Sequence, residues 1–376
     1  MEKERFKQYV DKYIKLLSLF LHDQEDQNFI IDVKEAKMFC ALSKHHSLRA
    51  LFYLSLPYCK HNLTDEQLTA FERYYLSNIK KTTLFEEERK KLYQYLNEQQ
   101  IDYLPLKGII LKDYYPNRYA REFADNDILF NDEKTNLVKE FFVKNGYEVE
   151  YYKKSNHDVY LKKPVLNFEM HRALFGETGD NEKIVGYFKD YLNKAPIKEG
   201  FEHYLSDEDF YIYFTAHSYK HYHVSGCGIR TLIDYYLYLK NKELDFDYID
   251  KELEKLGLLE FSNQFKSLAI KVFDNEPLNE EEEEMLLFIA SSGTYGTVEH
   301  SVDKGVKEKG KFGYFMARVF PPFHFYKSAY PWAYKCPILI PIAWCCRFFR
   351  ILFKNPKKAT NELKLISKHK DEPKEK

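Results

Sequence analysis

The chain has 376 residues, 44% hydrophobic and 31% charged, with 57 Lys+Arg set against 58 Asp+Glu. That length allows two or three domains and a substantial core, and the near-zero charge balance excludes a dedicated nucleic-acid coat while leaving room for a local basic patch. Cys40, Cys59, Cys227, Cys336, Cys345 and Cys346 lack the paired spacing of a zinc site or a disulfide framework. The charged, amphipathic N-terminus holds an apolar run too short for a secretory signal, and no stretch reaches the ~18 consecutive apolar residues of a membrane span. A cytoplasmic protein with reduced thiols is therefore expected.

Residues 1–100 read as an N-terminal helical region. Phe6, Val10, Tyr13, Ile14 and Leu17 recur at helical spacing, as do the apolar residues of Leu48–Leu56 and Phe71–Leu96. The run Glu86–Lys91 is expected to be a solvated helix face. From Ile101 the pattern changes. Tyr103–Leu106 reads as a buried strand, Lys107-Gly108 as a glycine turn and Ile109–Tyr115 as a short helix. A polar loop with Arg118 and Arg121 follows, then a second strand that carries Asp125 and Asp127 into Ile128-Leu129-Phe130.

Residues two apart on a strand share a face, so Asp125 and Asp127 project together. Adjacent carboxylates repel unless a cation lies between them, and Mg²⁺, a hard ion that takes oxygen ligands, is the natural candidate. Leu137–Lys144 reads as a helix stopped by Asn145-Gly146, and Tyr147–Tyr152 and Asp158–Leu161 as strands. In Val165–His171, Leu166, Phe168 and Met170 form the core face, and Glu169 and His171 lie on the opposite one, open to a cleft. Two aspartates on one strand and a glutamate on the next make a metal-holding triad.

Beyond Phe175 the chain reads as helical again, with 176–292 as a helical domain closing the cleft. His217, Lys220 and His221 fall on nearby faces of one helix. Ser218 stands where the zinc-protease signature needs glutamate, so the pair is read either as packed, hydrogen-bonded histidines or as a contact to triphosphate or acceptor. Gly226-Cys227-Gly228 precedes a helix with Arg230 and Asp234, and a glycine turn before a helix N-terminus receives phosphate readily. The Glu280–Glu284 run is expected to be exposed and Gly293–Gly310 to be a long loop. The aromatic, proline-bearing segment 293–354 is expected to pack as core against the helical domain. The alternative is a membrane-surface or partner-binding helix, because Arg347, Arg350 and Lys354 flank its apolar residues. The charged tail 355–376 is expected to be disordered.

Lys-Gly, then Tyr-Pro and an arginine, then Asp-x-Asp running into apolar residues, then Glu-x-His, resembles the uncharacterised bacterial nucleotidyltransferase family of the polymerase-beta-like superfamily. The resemblance covers Tyr103 to Lys240. It implies an α+β fold: a small mixed β-sheet nucleotidyltransferase core at 101–175, flanked by the N-terminal helices and the C-terminal helical domain. It also implies ATP or another nucleoside triphosphate bound with two Mg²⁺. Gly108 matches the glycine of the nucleotide-holding turn, Asp125 and Asp127 the metal-binding aspartates, and Glu169 the third carboxylate. A His-bearing helix, a glycine turn, then Arg230 and Asp234 continue the likeness.

The reaction so implied is displacement at the α-phosphorus by an acceptor hydroxyl on a sugar, protein, RNA or small molecule. Lys107 and Arg121, with Arg118 behind them, are the candidate phosphate contacts, since charge on phosphoryl oxygens is best met by fixed cations. Ile109 departs from the serine that usually follows the glycine. That departure carries the alternative of a catalytically inactive nucleotide sensor or scaffold, beside an interaction module that uses the aromatic segment.

Overall fold

Three of the described helices start with a reciprocal pair, in which the capping side chain takes an amide of the first turn and a first-turn side chain takes the capping residue's own amide. Asp32 with Glu35 opens α2 (Val33–His45), Thr64 with Gln67 opens α4 (Asp65–Glu98), and Asn279 with Glu282 opens α13 (Glu280–Ser292). The computed structural model describes residues 3–122, 124–177, 181–294, 298–323, 325–354, 360 and 364–366. Before α4 come α1 (Lys3–Leu21), β1 (Asp26–Ile31), α3 (Arg49–Ser55) and β2 (Cys59–His61). The parallel pair β1–β2 departs from the all-helical expectation for this region.

From Tyr103 the order is β3 (Tyr103–Pro105), α5 (Gly108–Leu111), β4 (Asn126–Phe130), α6 (Thr135–Lys144), β5 (Glu148–Tyr151), β6 (His157–Lys162) and β7 (Leu166–His171). Then come α7 (Glu182–Tyr187), α8 (Tyr191–Lys194), β8 (Ile197–Glu199) and β9 (Glu202–His203). The seven strands make one mixed sheet in the order β5-β6-β7-β4-β3-β9-β8, so the fold is α+β. β4 runs parallel to β7 and β3 to β9; the other neighbours are antiparallel. β8 and β9 lie in the stretch read as purely helical. They are too short and too charged to show an apolar alternation.

The helices α9 (Asp207–Val224), α10 (Ile229–Asn241), α11 (Phe246–Leu256) and α12 (Leu259–Phe273) pack with α1–α3 and α13 in one large core, which also takes Leu104, Leu106 and Leu129 from one face of the sheet. The opposite face, with Ile128, Phe130, Phe168 and Met170, packs on Phe85, Leu92 and Leu96 of α4 and on Val138 and Phe142 of α6. Alternation along β4 therefore sends its residues to two different cores. α4, 34 residues and so about 50 Å long, places Phe71 in the first core and Phe85 in the second.

The run Glu86–Lys91 is not a plain solvated face. Arg89 is buried and donates to Asn126 Oδ1 at 2.8 Å, Glu86 meets the buried Lys112 at 3.0 Å, and Glu88 accepts from Tyr147 at 2.9 Å. These charges fall on the helix side that faces the sheet, where each finds a partner and so escapes the cost of an unpaired buried charge. In the acidic run of α13, Glu282 and Glu283 are likewise engaged, with Lys271 and Lys7, each at 2.8 Å.

Residues 298–319 form α14 (Val298–Val319), kinked at Gly310 (φ 69°), where a loop was expected. Val302 and Val306, one turn apart, give it a buried stripe with Tyr314. The aromatic segment continues in α15 (Phe325–Ala329), α16 (Pro331–Lys335) and α17 (Ile340–Lys354). Its buried side chains form two small clusters of their own and are no part of the main core. Most of the tail 355–376 lies outside the described residues; Leu365 and Ile366 pack on the Val302 cluster. Among the described residues no helix is long and apolar enough to cross a membrane.

Candidate active site

β4 and β7 run side by side with Asp127 opposite Glu169 and Leu129 opposite His171. Asp125 stands just before β4, on the same face. β6 pairs antiparallel with β7 and sets His157 opposite His171. The face carrying the acids looks toward α9.

Asp127 is buried, and its Oδ1 takes two partners: Lys107 Nζ donates to it at 2.7 Å, and His171 Nε2 lies 2.7 Å away. Burial would raise the Asp127 carboxyl, but Lys107 and His171 hold it well below the usual carboxylate range. Burial likewise works against the Lys107 ammonium, and the Asp127 and Asp125 charges prevail and keep it protonated. Asp125 differs: it makes no hydrogen bond or ion pair among the described residues, and burial together with the Asp127 charge pushes its carboxyl up. Burial, then Asp127 and Asp125, push Glu169 up to about 7. The three acids feel one another through their charges. The group of ligand atoms that lies within 4.8 Å of one another is a different one, which shares only Glu169 with them. His157 and His171 approach Glu169 Oε2 at 3.7 and 3.9 Å and form with it a group of possible metal ligands.

The turn that delivers Lys107 is strained. The left-handed backbone falls on Lys107 (φ 48°, ψ −117°), not on Gly108, which opens α5. A non-glycine residue held there costs on the order of 1–3 kcal/mol, and such strain persists where the surroundings over-determine it. Here the Lys107–Asp127 bond does so.

α9 forms the far wall. His217 and His221 face each other at 3.2 Å between their Nε2 atoms, so one ring donates and the other accepts. Burial and the Lys107 charge drive both pKa values down, His221 to about 4. Burial and Lys107 also lower the Lys220 amine, and the buried Tyr213 hydroxyl has no partner among the described residues. Lys81 of α4 brings a further amine within reach of Asp125.

Arg121 and Asp234 are brought together, but with each other. Arg121 Nε and Nη2 both donate to Asp234 at 2.8 Å, and Tyr115 Oη adds a third bond at 2.8 Å, all in the interior. Next to them Glu122 accepts from Arg49 at 2.9 Å and from the Ala50 amide at 3.1 Å, and its carbonyl takes Arg230 Nη1 at 2.6 Å. Asn78 of α4 holds the Tyr119 carbonyl at 2.7 Å. The arginine-bearing loop is thus fastened to α3, α4 and α10, and this fixes where Asp125 sits. Arg118 lies outside, paired with Glu86 and Asp113.

The glycine turn before α10 is closed as well. A Cβ on Gly226 would meet Ser292 Oγ at 2.1 Å, and one on Gly228 the Thr294 backbone at 2.8 Å. The first amide of α10, on Ile229, donates to His46 Nδ1 at 3.2 Å, and His46 Nε2 donates to the Ala290 carbonyl at 3.0 Å. A neutral imidazole occupies the place where phosphate was expected. Burial and the neighbouring His45 push His46 down to about 3.

A depressed histidine pKa means that the unfolded chain binds more protons between that value and ~6.5, so this stability is complete above ~6.5 and lost as pH falls. His157, His217 and His221 act in the same sense. Scanning calorimetry is expected to show the melting temperature falling from pH ~6.5 toward 4, with part of the slope removed in His46→Gln. An unchanged slope in that variant would refute the role given to His46.

Sequence reasoning missed His157, Lys81, Tyr213 and His46. Only His157 left a local trace: the turn at residues 163–165 joins β6 to β7 in a hairpin whose register puts it across from His171.

A family model described as an uncharacterised nucleotidyltransferase matches residues 33–274, more than half of the chain. No curated protein and no solved structure matches it. The matched interval holds all three acids and the α9–α10 wall and stops before α13.

Proposed function

The chain belongs to the uncharacterised nucleotidyltransferase family, and on that premise we propose that it moves a nucleoside monophosphate from a nucleoside triphosphate to an acceptor hydroxyl, with Asp125, Asp127 and Glu169 holding Mg²⁺. The observation that carries this reading is a set of three carboxylates on one side of the sheet, in which Asp125 has no partner among the described residues and burial together with the two aspartates pushes Glu169 up. Such mutual repulsion is relieved by a divalent cation, and hard oxygen donors suit Mg²⁺. Asp125 and Asp127 would be shared between two ions, with Glu169 on one of them.

Bound there, the metal supplies charge neutralisation of the phosphates and a lowered pKa for the acceptor hydroxyl. The chain's own groups do the rest. Lys107 sets fixed positive charge beside the acids, as a polyphosphate needs, and Lys220 adds an amine near Lys107 and His171. Arg230 adds to it from α10, where its charge reaches Asp125. Glu169, near neutral pKa, can accept the acceptor's proton at Oε2. His217, His221 and Tyr213 line the wall where nucleotide or acceptor would lie. The Arg121–Asp234 pair acts by positioning, since it fixes the loop that carries Asp125.

One observation favours a second reading, a nucleotide sensor without turnover. Asp127 Oδ1 is already neutralised by Lys107 and shared with His171. Incubation with Mg²⁺, each α-labelled triphosphate and a panel of acceptors separates the two. Label transfer with pyrophosphate release is expected; saturable nucleotide binding with no pyrophosphate would replace the transferase with the sensor.

A further inference from the structure

Ten of the exposed large hydrophobic side chains among the described residues fall between Phe312 and Phe349, about a tenth of the chain. Phe312 is 76% exposed, Ile338 86%, Phe348 59% and Phe349 56%. On α17, Ile342, Cys345, Cys346 and Phe349 follow the i, i+3, i+4, i+7 spacing of one helix face, and all four are exposed. An apolar stripe at that spacing ordinarily faces a core; this one faces out.

Charge says what covers it. From Lys309 to Lys354 the chain has eight Lys/Arg and no Asp/Glu, a net +8, although the whole protein sums to −1. A second copy docking face to face would set these cations against one another, so self-pairing is disfavoured. An anionic surface would be attracted. The chain's only two tryptophans, Trp332 and Trp344, lie here, with Tyr330 and Tyr334 beside them, and amphipathic aromatics of this kind settle at the headgroup level of a bilayer. No described helix can cross a membrane, so the segment would lie on one.

We propose that the chain from the Gly310 kink of α14 through α17 forms a docking surface for an anionic phospholipid bilayer, with the α17 stripe entering the headgroup–acyl boundary and Lys335 and Arg350 meeting the lipid phosphates. This goes beyond the nucleotide chemistry and rests on different residues.

The two tryptophans make the test direct with the full-length protein. Vesicles of phosphatidylcholine mixed with phosphatidylglycerol are expected to shift the tryptophan emission to the blue and to float the protein, and added salt to reverse both. Phe348→Ser with Phe349→Ser, or Lys335→Glu with Arg350→Glu, is expected to weaken binding about tenfold or more, while Leu76→Ser, an exposed apolar site elsewhere, leaves it unchanged. Circular dichroism confirms that each variant is folded. Absence of flotation overturns the proposal. So does equal binding to phosphatidylcholine alone, equal affinity for duplex DNA, or a blue shift that grows with protein concentration as dimers form without vesicles.

Discussion

Asp125→Asn is expected to abolish nucleotidyl transfer and to raise the melting temperature of the ligand-free protein; Asp127→Asn is expected to abolish transfer and to lower it. The two aspartates are two residues apart and chemically alike, and their opposite effects on stability follow from their partners. Asp125 has none among the described residues and suffers burial and the Asp127 charge, so an amide relieves repulsion. Asp127 holds Lys107 and His171 at 2.7 Å each, and its loss strands an ammonium that is only 19% exposed.

Removing one partner of a buried pair costs about 3–5 kcal/mol. Losing a metal-holding carboxylate removes several kcal/mol of transition-state stabilisation, and ~4 kcal/mol is about a thousandfold in rate. Pyrophosphate release and calorimetry on the two variants check both halves. Transfer within tenfold of wild type in Asp125→Asn would end the metal assignment, and equal destabilisation by both variants would end the account of their partners.

Arg121→Ala and Asp234→Ala should each cost about 3–5 kcal/mol of stability in urea unfolding, because each leaves an uncompensated charge in the interior. Arg121→Lys should recover little of this, since an ammonium cannot make the two parallel bonds of the guanidinium fork. The double variant should cost less than the sum of the singles. A phosphate-binding arginine would behave otherwise, with normal stability and a raised KM for triphosphate. Arg121→Ala with wild-type stability would return that residue to the nucleotide site.

Local pattern made much of this architecture readable. β3, β4 and β7 are short apolar or alternating runs, β3 shortly before Gly108 and β7 shortly after Pro164, and the alternation places Asp127 and Glu169 on the face opposite the second core. What escaped was what depends on distant partners. Arg121, in a polar loop just before Asp125 and Asp127, reads as a phosphate ligand, because the same guanidinium serves a carboxylate 113 residues away equally well. Gly226 and Gly228 read as a phosphate turn, yet their missing side chains admit Ser292 and Thr294 of a following segment. β1 and β2 form a parallel pair between stretches too brief to carry a period, and the charges of Glu86–Lys91 gave no hint that a sheet lay beneath them.

The long rod of α4 has a consequence for how the molecule can move. Its first turns are gripped by the same core that carries α9, and its last turns by the sheet that carries the acids. Lys81 sits between those grips, within electrostatic reach of Asp125. The two walls of the cleft are therefore braced twice, by this rod and by the sheet's own packing on the helical core. Parting them must bend the rod near Lys81, where an amine already faces the acids, and also slide Leu104, Leu106 and Leu129 over that core.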